Sequence, residues 1–307
     1  PQMGGGGAKD QRDLRFALFG DRAAFERVAE VLRSNLPSAE GVVLSGETLY
    51  RADPGILRAL LREAGWGDAS IKTVAIVRDP AGWLNSRYAF ETIQFLHGDG
   101  FEPYVKRALK SGAALWTRSF GPWIAASDMA FSAIPLRSSD GEPVVRRTLR
   151  AMGLSCHGDS AAPRLNEAFD PRTVEAARRL APYPIAKQPR KAARQVRRHL
   201  LSVAQAEGFG GRFQGLDANL SHRIEKASRD DLDAFAAAVW GNRWDDVHGA
   251  GARKVLESNE WLRHKGTREE AAAIDRIVAS VRQLPAVRHM EKRRPWWPLW
   301  SQRRREL

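Results

Sequence analysis

A short apolar run that stops on an arginine constrains this chain more than any other feature. Residues 72–88 read Lys-Thr-Val-Ala-Ile-Val-Arg-Asp-Pro-Ala-Gly-Trp-Leu-Asn-Ser-Arg-Tyr. Val74 to Val77 is apolar and largely β-branched, as a buried parallel strand requires. Arg78 stands at its carboxyl end, the side on which open α/β sheets bind ligands. Asp79 is a good N-cap and Pro80 suits the first helical position, so a helix starts at once. Ser86 follows about two turns past the cap and returns to nearly the face of Asp79. A guanidinium fork and a hydroxyl can converge on one phosphate. The arrangement predicts a phosphate-bearing ligand of nucleotide type. A strand-end Arg paired with a carboxylate, and a Ser on a solvated helix face, is the plainer alternative.

The surrounding chain supplies a sheet for that strand. Phe16 to Leu36 has helical apolar spacing, with Asp21 placed to cap its main segment. Gly41-Val-Val-Leu-Ser45 reads as a buried strand, Asp53-Pro54 opens a helix to Glu63, and the strand at 72–77 follows. Strand, helix and strand in that order predict a parallel sheet. Helices are expected over 80–96 and 101–120, a third strand over Ala130–Leu136, and a helix from Gly141-Glu-Pro143 to Gly153. Beyond this point the pattern is helical, over 171–181, 190–207, 218–239 and 266–283. The expected organisation is a loose segment over 1–13, an α/β domain over 14–185, a helical extension over 186–285 and a basic Trp/Arg-rich tail over 286–307.

Charge narrows the partners. The 307 residues carry 49 basic and 36 acidic side chains, a net +13, which favours anionic partners without choosing among them. The single cysteine, Cys156, excludes an internal disulfide framework and any multi-cysteine metal site, which fits a reducing cytoplasm. No run of eighteen apolar residues exists, so no membrane span is expected.

The ordered set of elements resembles the bacterial sulfotransferase-like proteins of the P-loop superfamily. The residues that carry the resemblance are Leu44-Ser45-Gly46-Glu47, then Arg78-Asp79-Pro80 with Ser86-Arg87-Tyr88. Looser matches are Trp116 to Gly121, Met152-Gly153-Leu154 and Leu165-Asn166-Glu167, so the likeness covers about residues 14–180. It implies a three-layer parallel α/β fold and transfer of a sulfuryl group from 3′-phosphoadenosine 5′-phosphosulfate to a hydroxyl of a carbohydrate or similar acceptor, without a metal. It assigns the donor's 3′-phosphate to Arg78 and Ser86. Glu47, just past a strand end, is the candidate general base, and a structural carboxylate is the alternative for it. No His occurs between residues 1 and 96, so no histidine base comes from that region, and His97, alone beside Gly98, reads as incidental.

One departure is large. The family's donor loop, Gly-x-x-Lys-[Ser/Thr]-Gly-Thr after a first strand, has no counterpart here. Gly4 to Gly7 precedes Ala8-Lys9-Asp10 without a strand before it, and reads as a flexible segment. The expectation is a chain lacking the first strand, P-loop and first helix, which binds the adenosine 3′-phosphate half and does not itself transfer. Two other readings fit parts of the sequence: a catalytically dead nucleotide-binding protein, and a basic nucleic-acid-binding protein. For the latter, Lys187, Arg190, Lys191, Arg194, Arg197 and Arg198 form a basic helix with no acid. No aromatic is interleaved there, which counts against single-strand nucleic acid. Trp296, Trp297 and Trp300 with Arg303 to Arg305 suit a membrane interface or a disordered tail.

Overall fold

Proline after aspartate punctuates this fold. A computed structural model describes residues 8–35, 41–46, 49–136, 141–155, 168–248, 257–264 and 266–291. Helices α3 (Pro54–Glu63), α4 (Pro80–Ile93) and α8 (Pro171–Leu180) each begin on a proline behind an aspartate whose carboxylate accepts a first-turn backbone N–H. The aspartate meets an orphan donor, and the proline has no N–H to leave unmet.

The remaining helices are α1 (Ala8–Leu18), α2 (Arg22–Asn35), α5 (Phe101–Lys110), α6 (Trp116–Ala125), α7 (Val144–Met152), α9 (Arg190–Ala206), α10 (Ala218–Trp240), α11 (Trp244–His248), α12 (Arg268–Arg282) and α13 (Pro285–Glu291). Two strands, β1 (Ile71–Val77) and β2 (Met129–Pro135), pair in parallel from Ile71↔Met129 to Val77↔Pro135. The described chain is therefore α/β, mostly helical, with a small two-stranded parallel sheet.

Several expectations need correction. Residues 41–46 form no ladder, and Val42 and Val43 are 42% and 56% exposed. An apolar run between glycines is not a strand without a partner to pair with. β1 is parallel as expected but not buried throughout: only Val77 is fully covered, and Ile76 is 51% exposed. The region expected as one helix over 101–120 is two, because Gly112 takes φ 66 just past the α5 cap. α4 ends at Ile93 rather than residue 96. The segment expected to be loose over 1–13 overlaps α1 from Ala8, and Pro285–Glu291 is helical where the tail was expected to begin. Cys156, Leu165-Asn166-Glu167, Gly4 to Gly7 and the Trp/Arg cluster from Trp296 lie outside the described residues.

The chain folds as two units that interleave in sequence. One unit takes residues 1–78, 115–159 and 228–251 and holds the sheet. Its core packs Leu14, Leu18, Val28 and Leu32 of α1 and α2 on Leu57, Leu60 and Leu61 of α3, with Trp123 and Met129. An aromatic group built on Phe120, Phe131, Phe235, Trp240 and Trp244 packs in the same unit. The other unit takes residues 79–114, 160–227 and 252–307. Its core joins Leu84, Tyr88 and Ile93 of α4 to Phe101, Val174, Leu180, Val196, Leu200, Ile224, Ile274 and Val281.

Candidate functional site

The carboxyl end of the sheet is built by backbone and side-chain locks within the first unit. β1 delivers Arg78 one residue past Val77, whose carbonyl accepts the Leu136 amide at 2.7 Å. The Arg78 carbonyl accepts the Trp116 indole N–H at 3.1 Å. Trp116 opens α6, and Asp231 of α10 caps that helix by accepting the Trp116 and Thr117 amides and the Thr117 hydroxyl. Asp231 lies more than a hundred residues away in sequence, so local spacing could not have found this cap. At the end of β2, Arg147 of α7 donates to the carbonyls of Pro135 and Leu136 at 2.7 and 3.3 Å, and to that of Glu142 at 3.2 Å. Sequence reading misses Trp116, Arg147 and Asp231 as the residues that hold this edge; only Trp116 falls in a segment that the sequence singles out.

The expected site residues fall in different parts of the fold. Arg78 is half-buried at the carboxyl end of β1. The boundary between the units falls between Arg78 and Asp79, so Ser86, half-buried on α4, is described within the second unit. Asp79 caps α4 by accepting the Gly82 amide at 2.6 Å. A Cβ at Gly82 would stand 2.7 Å from the Asp79 carboxylate, so a larger residue there would make the capping side chain shift. Tyr88 is not at the surface: it is 1% exposed, packs on Phe101, Tyr104 and Phe213, and donates to the Asp99 carbonyl at 2.8 Å. Burial pushes its phenol up. Asn85 is also buried; its amide donates to the Phe213 carbonyl and accepts the Gly215 amide. Glu47 lies outside the described residues.

His97, which reads as incidental in sequence, joins a polar cluster in the second unit. The Glu91 carboxylate accepts Arg87 Nε at 2.7 Å and the Tyr104 hydroxyl at 3.2 Å, and lies 2.5 Å from His97 Nε2. Burial pushes this carboxyl up, but the bonds from His97 and Arg87 outweigh it and hold it down to about 2. Arg87 also lies over the Trp83 ring. A shallow cleft lined by Asp53, Arg58, Arg62, Asp128 and Met129 lies in the first unit, at the end of the sheet where β2 begins. It is thus at the opposite end of the strands from Arg78. Among the described residues, no group of three or more His, Cys, Asp or Glu is placed to hold a metal, and no helix is long and apolar enough to cross a membrane.

No protein-family model, curated protein or solved structure matches the chain.

Proposed function

We propose that the chain is a sulfotransferase-like protein whose Arg78 binds the 3′-phosphate of 3′-phosphoadenosine 5′-phosphosulfate. One observation carries the reading: Arg78 ends a parallel strand on its carboxyl side and runs straight into a helix capped by Asp79. Ligands of open α/β sheets bind at that end, and a phosphate dianion favours charge-assisted donors. Ser86 is assigned as a second donor by its eight-residue spacing from Arg78 alone. The three-layer arrangement of the full family fold belongs to the same proposal.

The reaction would form a bond between an acceptor hydroxyl oxygen and sulfur as the bond from sulfur to the 5′-phosphate oxygen breaks. The acceptor proton would pass to a carboxylate, for which Glu47 is the candidate. The acceptor class is a carbohydrate or similar hydroxyl compound. The 307 residues contain no Gly-x-x-Lys-[Ser/Thr]-Gly-Thr loop for the transferred group, so turnover requires that such a loop be supplied.

The test is thermal-shift and calorimetric titration with adenosine 3′,5′-bisphosphate. The ligand should raise Tm by mass action. Arg78→Ala should weaken binding about ten- to a hundredfold, a charge-assisted bond of about 1.5–3 kcal/mol, and Ser86→Ala only a few-fold. A bisphosphate that leaves Tm unmoved, or an Arg78→Ala variant that binds like the parent, would sink the reading.

A further inference from the structure

The basic helix α9 is built to meet an anion. Arg190, Lys191, Arg194 and Arg198 are exposed and Arg197 is half-buried, while Val196, Leu200 and Ala204 turn into the core. Arg190, Arg194, Arg197 and Arg198 recur at three- and four-residue steps, so they share one stripe rising about 5.4 Å per turn. No carboxylate stands within ion-pair distance of Lys191, Arg194, Arg197 or Arg198 among the described residues. Elsewhere in the same unit, Arg172, Arg178, Arg179, Arg263 and Arg276 each have a carboxylate partner. The stripe does not serve the helix either. Like charges at such spacings repel, and Arg190 and Lys191 sit in the first turn, where the helix dipole disfavours cations. Burial and the neighbouring Arg194 and Arg198 push the Arg197 guanidinium down.

We propose that this stripe of α9 is a docking face for a linear anionic polysaccharide, of the sulfated or uronic-acid class. The inference concerns α9 alone and does not depend on the reading of Arg78. The alternatives fit less well. Single-stranded nucleic acid needs aromatic platforms, and Arg190 to Ala206 contains none. A membrane surface needs a free apolar face, and the apolar face of α9 is spent on the core. The major groove of a duplex is about 12 Å wide and takes a helix by its whole circumference, so groove entry is closed to α9 and only the phosphate backbone of a duplex competes, which the DNA arm of the experiment below decides. α9 has α8, α12 and α13 packed along it. A linear polysaccharide needs no groove and no stacking, only anions on one side at a repeat the arginines can follow.

The experiment is fluorescence anisotropy with a labelled sulfated glucan oligosaccharide, against duplex DNA of equal charge and vesicles containing phosphatidylserine. The sulfated glucan should bind best, with affinity falling as salt rises. At about 0.7 counterion per cation, four cations give a log–log slope near −3. The combined Arg194→Gln, Arg197→Gln and Arg198→Gln variant should lose at least about tenfold in affinity and flatten the slope by about 2. Its Tm should hold or rise, because repulsion is relieved, and the corresponding triple lysine variant should retain most binding. The proposal is overturned if the glutamine variant binds unchanged, if DNA or vesicles bind more tightly than the glucan, if the glucan fails to bind, or if Tm and binding fall together.

Discussion

Glu91, the one carboxylate on α4, meets Arg87, His97 and Tyr104, and the helix ends in an unusual way beside it. Phe95 takes φ 60, a left-handed conformation that glycine normally fills. The Leu96 amide reaches the Glu91 carbonyl and the Phe95 amide the Thr92 carbonyl, the bond pair of a left-handed helix stop. The Phe95 ring is buried, which offsets the backbone strain. The turn brings His97 back to the Glu91 carboxylate, six residues away, a separation that helical periodicity does not mark. The consequence is a pH dependence of known sign. Glu91 is held at about 2 when folded against 4.5 otherwise, so its contribution is complete above pH 4.5 and is lost as pH falls toward 2. A carboxyl held that far below its ordinary value contributes about 3 kcal/mol. Glu91→Gln should therefore lower stability at pH 7 and flatten the acid limb of a urea-denaturation series between pH 5 and pH 2. An acid limb as steep as that of the parent would show that Glu91 does not carry it.

At the level of elements, capping is legible where it is local and invisible where it is not. Asp53-Pro54 and Asp79-Pro80 announce α3 and α4, and Asp21 accepts the Ala24 amide as its position suggests. The start of α6 has no local cap: Leu115 offers no side-chain acceptor, and Asp231 comes from α10. For that reason the apolar spacing of Leu109, Trp116 and Phe120 passes for one helix across the break. The same limit explains Gly41-Val-Val-Leu-Ser45. Its composition suits a strand, but a ladder needs a partner, and no six-residue window reports whether one exists. Arg78 is legible at its strand end because strand, arginine and cap are contiguous, whereas Arg147 reaches the same sheet edge from a separate helix. Asp231→Ala should cost about 1–2 kcal/mol, as loss of an N-cap does, and Asp231→Asn, which keeps an acceptor, less. Urea midpoints with an unchanged m-value would report both. Equal losses for Ala and Asn would mean that charge against the helix dipole, not the hydrogen bonds, holds α6.

At the scale of the whole molecule, two cores that share no residue imply two units of cooperativity. Leu60 lies in the core of the first unit and Ile274 in that of the second, both with no exposed surface. Truncating either to Ala should cost about 2–5 kcal/mol, the transfer term plus the cavity left behind. The expected outcome is selective. Leu60→Ala should speed amide exchange in α2 and α3 while leaving α12 protected, and Ile274→Ala should do the reverse. Calorimetry should then give a van't Hoff enthalpy below the calorimetric one, because unfolding is not all-or-none. α10 makes the sharper test, since Ala218 to Ala227 belongs to one unit and Ser228 to Trp240 to the other. If the units open separately, exchange along this single helix should change rate near that boundary under each substitution, and in opposite halves. If both variants accelerate every protected amide equally, the 307 residues unfold as one cooperative body and the two cores are not energetic units.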